Sequence, residues 1–312
     1  VDEATKNALI AEHPSSKDVV KPYLRGRAVK RWRYDETGLW LLYIPWHFPL
    51  HLNRSIRGAS KEAENEFKSK YPAVYRHLSK FKKELSARNK AETGVRYEWY
   101  ALQRWGADYW TEFSTHKIIM GRFMDKPTYA FDDAHAYINN ALHFIAEANK
   151  YIVSVLNSPV VWYYLRMTSP DLQGGFIQAS VETQGGIPIP SATPHQPPPS
   201  ETLATAIIAL HKPANADFPN RLAVIALFEQ WLNGLIYELF FPAELHARNL
   251  HLHTLSAPHL SGCSGAVNGD MSNATLSALH TLISDYKHPL RAALNDLQNL
   301  EEIQTIEAVD KK

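Results

Sequence analysis

Six of the thirteen residues from Lys21 to Arg33 are cationic: Lys21, Arg25, Arg27, Lys30, Arg31 and Arg33. Arginine both neutralises phosphate and pairs bidentately with guanine in the major groove, so this density suits a polyanion-binding surface. Tyr23, Trp32 and Tyr34 interleave with the charges, where their rings can stack on bases or simply pack. Arg54, Arg57, Lys117 and Arg122 are further cationic candidates near the ends of predicted strands. A charge run is also the ordinary make-up of a solvated face, and composition alone leaves the two readings level.

Other chemistries are missing. The sequence has no Gly-x-x-x-x-Gly-Lys-[Ser/Thr] phosphate loop, no Gly-x-Gly-x-x-Gly fingerprint and no Gly-x-Ser-x-Gly elbow. The glycine pairs Gly174-Gly175 and Gly185-Gly186 read as turns or bulges. His246, His251, His253 and His259 cluster, and His-Leu-His can chelate a metal from one strand. Zinc sites usually add cysteine or carboxylate ligands at set spacings, and the His-Glu-x-x-His pattern is absent, so adventitious or structural histidines are the expectation and no metal site is assigned. Asp132-Asp133 reads as a turn at a strand end, and Cys263 as an inert thiol. No catalytic constellation emerges.

The net charge of +1 conceals a split: residues 1–130 hold 24 Lys+Arg against 15 Asp+Glu, and the remainder 9 against 17. Such asymmetry points to a polyanionic partner for the basic half, with a domain–domain contact as the competing account. The single cysteine excludes an intramolecular disulfide framework and suits a reducing compartment. No apolar run approaches the roughly 20 residues of a membrane span. The polar start "VDEATKNALIAEHPSSKD" is no signal peptide, and the missing initiator Met suggests a fragment or processed chain.

The elements that must position these residues are a mixture. "GLWLLYIP" (38–45) reads as a buried strand closed by Pro45. Ser60 followed by acidic residues reads as a capping box opening a helical stretch to Lys90, with an apolar stripe of Val74, Leu78, Phe81 and Leu85. "KIIMGRF" (117–123), "PTYAFDD" (127–133) and "ALHFIAEA" read as strands, and 149–167 as a helix broken or kinked at Pro159. The proline-rich stretch 191–200 reads as a semi-rigid linker, and helices follow it, one with a core stripe of Leu227, Trp231, Leu235 and Leu239 and a last one interrupted at Pro289. The expected class is α+β: a mixed-sheet domain over residues 1–190, a linker at 191–200 and a helical spacer or assembly region at 201–312.

"KPYLRGRAVKRW" followed by "LWLLYIP" resembles the opening of the TaqI-like C-terminal specificity domain, the target-recognition part of type IIG restriction–modification enzymes and related adenine-N6 DNA methyltransferases. The family segment runs Lys-Pro-[Phe/Tyr]-Leu-x-Gly-Arg-x-x-x-Arg-[Trp/Tyr]. The likeness continues in "YPAVYRHLSKFKKELSAR", "THKIIMGRF", "INNALHFI", "VSVLNSPVVWYYL", "GGIPIP" and "GLIYELFFPAEL", in the family's order. Ala28 and Phe240 depart from it, where the family often has Asp and Tyr.

The resemblance implies duplex-DNA recognition by a chain with no catalytic residues of its own. Catalysis, with S-adenosylmethionine as cofactor and sometimes a fused endonuclease, would belong to an upstream methyltransferase domain of the same polypeptide, in the cytoplasm of a bacterium or archaeon. Lys21, Arg25, Arg27, Lys30, Arg31 and Arg33 are then the expected phosphate contacts, and base readers are expected near Arg57, Arg122 and Gln173 of "SPDLQGGF", an amide suited to adenine. Lys117 completes the expected DNA-binding set. Two other classes remain open at this point: a protein-interaction module, and a metal-dependent hydrolase built on the His246–His259 cluster.

Overall fold

Short polar side chains start many of the helices. Asp2, Ser60, Asn149, Ser158, Ser180 and Ser272 each accept the backbone N–H three residues on, from Thr5, Ala63, Ile152, Val161, Thr183 and Thr275. Each such cap contributes about 1 kcal/mol by satisfying an N–H the helix cannot. Proline opens others: Pro72, Pro159, Pro242 and Pro289 lie at the first helical positions, where a missing N–H costs nothing. The expected breaks at Pro159 and Pro289 are therefore helix starts. The cap at Ser60 is one-sided, because the position that a capping box fills with Glu is Ala63.

The computed structural model describes residues 1–45, 55, 60–88, 98–191, 199–263 and 271–311. Arg54, Arg57 and most of the proline-rich stretch lie outside them. The chain forms two compact units, one of Val1–Ala28, Glu36–Lys117 and Asp132–Asn140, the other of Val29–Asp35, Ile118–Phe131 and Ala141–Lys312.

In the first unit, strand Val20–Leu24 is central. It pairs antiparallel with Trp40–Leu42 (Val20↔Leu42, Lys21↔Leu41) and parallel with Tyr137–Ile138 (Tyr23↔Tyr137), so the sheet is mixed. Pro22 fits this central strand because the parallel partner begins only at Tyr23, leaving one side of Pro22 without a ladder. Helices Lys61–Lys70 and Pro72–Ser79 pack Phe67 and Val74 with Val19, Ile44, Tyr71 and Tyr100, and Phe67 stacks on Tyr100 at 4.4 Å. The predicted apolar stripe ends early. Val74 is buried, but the chain breaks before Lys82–Ser86 and leaves Phe81 exposed.

A further three-stranded sheet is ordered Tyr129–Asp132, Lys117–Gly121, Leu142–Ala146, and the second unit holds most of it, with two small strand pairs and the helices from Lys150 on. Short strands and segregated helices make the fold α+β. Helix Pro199–His211, just past the proline-rich stretch, packs on Lys150–Leu156 before it and on Arg221–Phe240 after it, in one continuous core. Arg221–Phe240 is long and apolar enough to cross a membrane, but more than half of it is buried in that core, where Val224, Phe228, Trp231 and Leu235 form the inner stripe. Leu227 and Leu239 of the expected stripe are half-buried on its margin.

Asn157, at the break between Lys150–Leu156 and Pro159–Thr168, behaves as an extra strand residue. Its side-chain oxygen accepts the Tyr129 N–H at 3.2 Å and its amide donates to the Tyr129 carbonyl at 2.9 Å. Both residues are fully buried. Asn157→Ala strands the Tyr129 N–H and opens a cavity, and is expected to lower stability by roughly 3 kcal/mol in urea unfolding. A loss below about 1 kcal/mol would show that the amide clamp carries no weight.

Candidate nucleic-acid interface

In the first unit, the strand Val20–Leu24 runs into a single 3-10 turn, Gly26–Ala28, closed by the Ala28 N–H on the Arg25 carbonyl at 2.8 Å. Leu24 and Ala28 are buried and hold the turn down, which directs Arg25 and Arg27 into solvent. Ala28 occupies the place of the family's frequent Asp, and at 7% exposed it is a packing residue here. Among the described residues, the side chains of Lys21, Arg25 and Arg27 meet no hydrogen-bond or ion-pair partner. The other three cations of the run belong to the second unit.

There, Val29–Lys30 and Arg33–Tyr34 form a hairpin whose two-residue turn is Arg31-Trp32. Trp32 has φ 69, a left-handed conformation that costs a bulky residue about 1–3 kcal/mol. Burial and hydrogen bonding hold it: the ring is 2% exposed, its N–H donates to the Tyr129 carbonyl at 3.0 Å, and its indole N–H donates to Glu229. Arg31 reaches the same carboxylate, its Nε 3.1 Å from Glu229 Oε1, while its Nη2 donates to the Asn157 carbonyl at 3.0 Å. Arg31 thus anchors the hairpin, and Arg33 pairs with Asp35. Lys30 is exposed and, among the described residues, is left as the cation of this hairpin without an internal partner. His211 adds no charge beside it: burial first, then the charges of Arg33, Arg221 and Arg31, depress its pKa to about 4.

Lys117 is a correction. Its ammonium is fully buried, 2.6 Å from Asp132 Oδ2, and donates to the Phe113 carbonyl at 3.0 Å. Burial lowers its pKa and the Asp132 charge opposes that shift. A lysine so enclosed fixes the first unit and does not face a phosphate. Asp132 also accepts the N–H groups of Ala134 and Ala136, which is the turn role expected of it.

Gln173 sits on a tight hairpin loop. Leu172 N–H donates to the Phe176 carbonyl at 2.7 Å, Asp171 bridges Ile177, and Gln178 N–H donates to the Pro170 carbonyl at 3.1 Å. Gly174 and Gly175, at φ 81 and 80, turn the chain as the sequence suggested. Arg166 braces the loop, 3.0 Å from Asp171 and 3.3 Å from the Gly175 carbonyl. Gln173 is exposed. The strand that follows, Ile177–Gln178, pairs with Phe123–Met124, and Ala179 N–H donates to the Arg122 carbonyl at 3.0 Å. Arg122, half-buried, lies over the Phe123 ring at 5.9 Å.

Exposed aromatic rings were not anticipated. Phe123, under the Arg122 guanidinium, is 52% exposed and Phe176 37%, and rings left in solvent suit base stacking. The signal available in the sequence was a phenylalanine set against a glycine pair or an arginine. Arg57 lies outside the described residues. The histidine segment is also helical: His251 precedes helix Leu252–Leu260, His253 Nε2 lies 3.0 Å from the Leu235 carbonyl, and His259 packs on His288, so the four histidines do not converge.

No curated protein matches the chain. Among solved structures it is similar to the type IIL restriction–modification enzyme MmeI, which was solved in complex with DNA, at 17% identity and a TM-score of 0.42. That match covers 96% of this chain and 34% of the other, so the chain spans about a third of MmeI. The profile of the TaqI-like C-terminal specificity domain matches residues 21–189, more than half of the 312 residues, from the first cation of the basic run to the proline-rich stretch. The chain belongs to the TaqI-like C-terminal specificity domain family.

Proposed function

We propose that this chain recognises duplex DNA as the specificity part of a longer restriction–modification protein. The observation that carries the proposal is the set Lys21, Arg25, Arg27 and Lys30: four cations within ten residues of a specificity-domain match, none with an internal partner among the described residues. A solvated face tolerates such residues but does not need the buried Leu24, Ala28 and Trp32 that direct their backbone. In this reading residues 1–190 make the contacts and the helices at 201–312 support them, a division that the family match over residues 21–189 favours. The partner domain is an adenine-N6 methyltransferase that binds S-adenosylmethionine, and the specificity part holds the duplex while the target adenine is extruded.

The contacts fall into two kinds. Lys21, Arg25, Arg27 and Lys30 meet phosphates, which sets orientation and carries no sequence information. Gln173 and Arg122, with Phe123 and Phe176 beside them in sequence and strand pairing, meet base edges. Gln173 is matched to adenine, whose N6 and N7 its amide satisfies together.

Binding of the 312-residue chain to a duplex is the direct test. Measurable affinity at about 0.15 M salt is expected, whereas a protein-interaction module shows none. The triple variant Arg25→Ala, Arg27→Ala, Lys30→Ala is expected to weaken binding to every sequence alike. It should flatten the plot of log affinity against log salt by up to about 3 units, since each phosphate contact contributes roughly 0.9. An unchanged slope removes the basic run from the interface.

Gln173→Ala is expected to behave differently. In site selection from a randomised duplex pool, it should relax preference at one A·T pair by about 1–3 kcal/mol and leave the salt slope as in the wild type. A uniform loss at all positions would make Gln173 a backbone contact.

A further inference from the structure

Near the end of helix Arg221–Phe240, Glu238 is only 7% exposed, yet among the described residues no lysine or arginine pairs with it. A buried carboxylate without a cation is costly unless something supplies the missing charge. Its two oxygens face different partners. Oε2 accepts the His253 N–H at 2.6 Å, capping helix Leu252–Leu260, and Oε1 lies 2.8 Å from His246 Nε2. His246 ends helix Pro242–His246, and the turn after it is fixed by the Asn249 N–H on the His246 carbonyl and the Leu250 N–H on the Leu245 carbonyl, both 3.0 Å. Asn249 takes the left-handed conformation (φ 58), which reverses the chain and sets the His251 ring against His246, 4.6 Å between centroids. Donor atoms of Glu238, His246 and His251 all lie within 4.8 Å of one another.

From this we infer that Glu238, His246 and His251 form a binding site for a divalent ion of the zinc class. Two neutral imidazoles and one carboxylate are a donor set that zinc accepts in tetrahedral geometry, with the fourth position left for water. An ion about 2 Å from each donor sets those atoms roughly 3.3 Å apart, so the His246–Glu238 contact opens and the three atoms, now within 4.8 Å of one another, draw to that spacing. It takes the place of the His246–Glu238 hydrogen bond and sets a divalent charge against the buried carboxylate. The His253 N–H already fixes Glu238's orientation through its other oxygen, the outer-shell support that metal carboxylates use. Magnesium and calcium prefer all-oxygen shells, so the nitrogen donors favour zinc, cobalt or nickel. Bound there, the ion clamps the turn at residues 246–251 onto the long helix. The local sequence concealed the site because its carboxylate comes from the preceding helix and because His253 and His259 belong to other contacts. The inference stands independently of DNA binding.

The test is calorimetric titration of the chelator-treated 312-residue protein with zinc. One equivalent is expected to bind per chain and to raise the melting temperature, and cobalt is expected to give the visible bands of a four-coordinate ion. His246→Ala and His251→Ala should each weaken zinc by at least about tenfold, with folding judged by their metal-free melting temperatures. Glu238→Gln keeps an oxygen for the His253 N–H while removing the charge, and should weaken zinc as well. His288→Ala, in the other histidine pair, should bind as the wild type. The inference is overturned by absence of saturable binding at one equivalent, by wild-type affinity in the His246 and His251 variants, or by loss in His288→Ala instead.

Discussion

One carboxylate sets the shape of the hairpin in the second unit. Glu229 takes the indole N–H of Trp32 and the guanidinium of Arg31, 197 residues from the tryptophan in the chain. Removing it would leave a buried indole donor unpartnered and Arg31 with the Asn157 carbonyl but no counter-charge, the first costing about 1–3 kcal/mol. The left-handed backbone at Trp32 would then rest on ring burial and on the Tyr129 carbonyl alone. Glu229 itself is placed by its neighbours on the long helix: Phe228 and Trp231 are fully buried, so the helix cannot rotate about its axis without opening the core. The causal order therefore runs from the helical core to Glu229, from Glu229 to Arg31 and Trp32, and from these to the exposure of Lys30.

Much of this was legible because it is local. The helix after Ser60 and the strands beginning near Lys117 and Tyr129 announce themselves within a few residues, whereas Pro159 and Pro289, expected as breaks, are helix starts. What the sequence did not disclose depends on distant partners. Lys117 looked like any strand-end cation, and only the fold brings Asp132 within 2.6 Å of it. Arg31 was indistinguishable from Arg27 until Glu229 and the Asn157 carbonyl were placed beside it. The histidine segment was misleading for another reason. Alternating His-Leu-His suggests a strand, and Pro258 argues against a helix, yet Leu252–Leu260 is helical. Pro258 deprives only the Thr254 carbonyl of its bond, and Thr254 is exposed, so water can replace it.

The same distinction separates the charges that hold the protein together from those available to a ligand. A cation count treats Lys21, Arg25, Arg27, Lys30, Arg31, Arg33 and Lys117 as equivalent. Burial and pairing divide them. Lys117 is locked in a dry ion pair, whose loss on one side alone is strongly destabilising. Arg31 is tied at two atoms, and Arg33 has Asp35. Among the described residues, Lys21, Arg25, Arg27 and Lys30 have no such tie. The basic run is thus a composite, in which a motif that looks uniform mixes internal ties with free charge.

That mixture bears on how such a domain can carry a recognition element without weakening itself. The strands Phe123–Met124 and Ile177–Gln178 are two residues each, too short to be stable as an isolated pair. The loop between Pro170 and Gln178 is held instead by main-chain hydrogen bonds and by Arg166, which grips Asp171 and the Gly175 carbonyl. None of these ties uses the side chains of Leu172 or Gln173. Residues at the tip can therefore change in size and hydrogen-bonding character while the backbone that presents them stays in place. On the proposed reading, a new base preference needs only a change at such a tip. The glycines 174 and 175, whose left-handed backbone other residues resist, are by contrast the fixed part of the device.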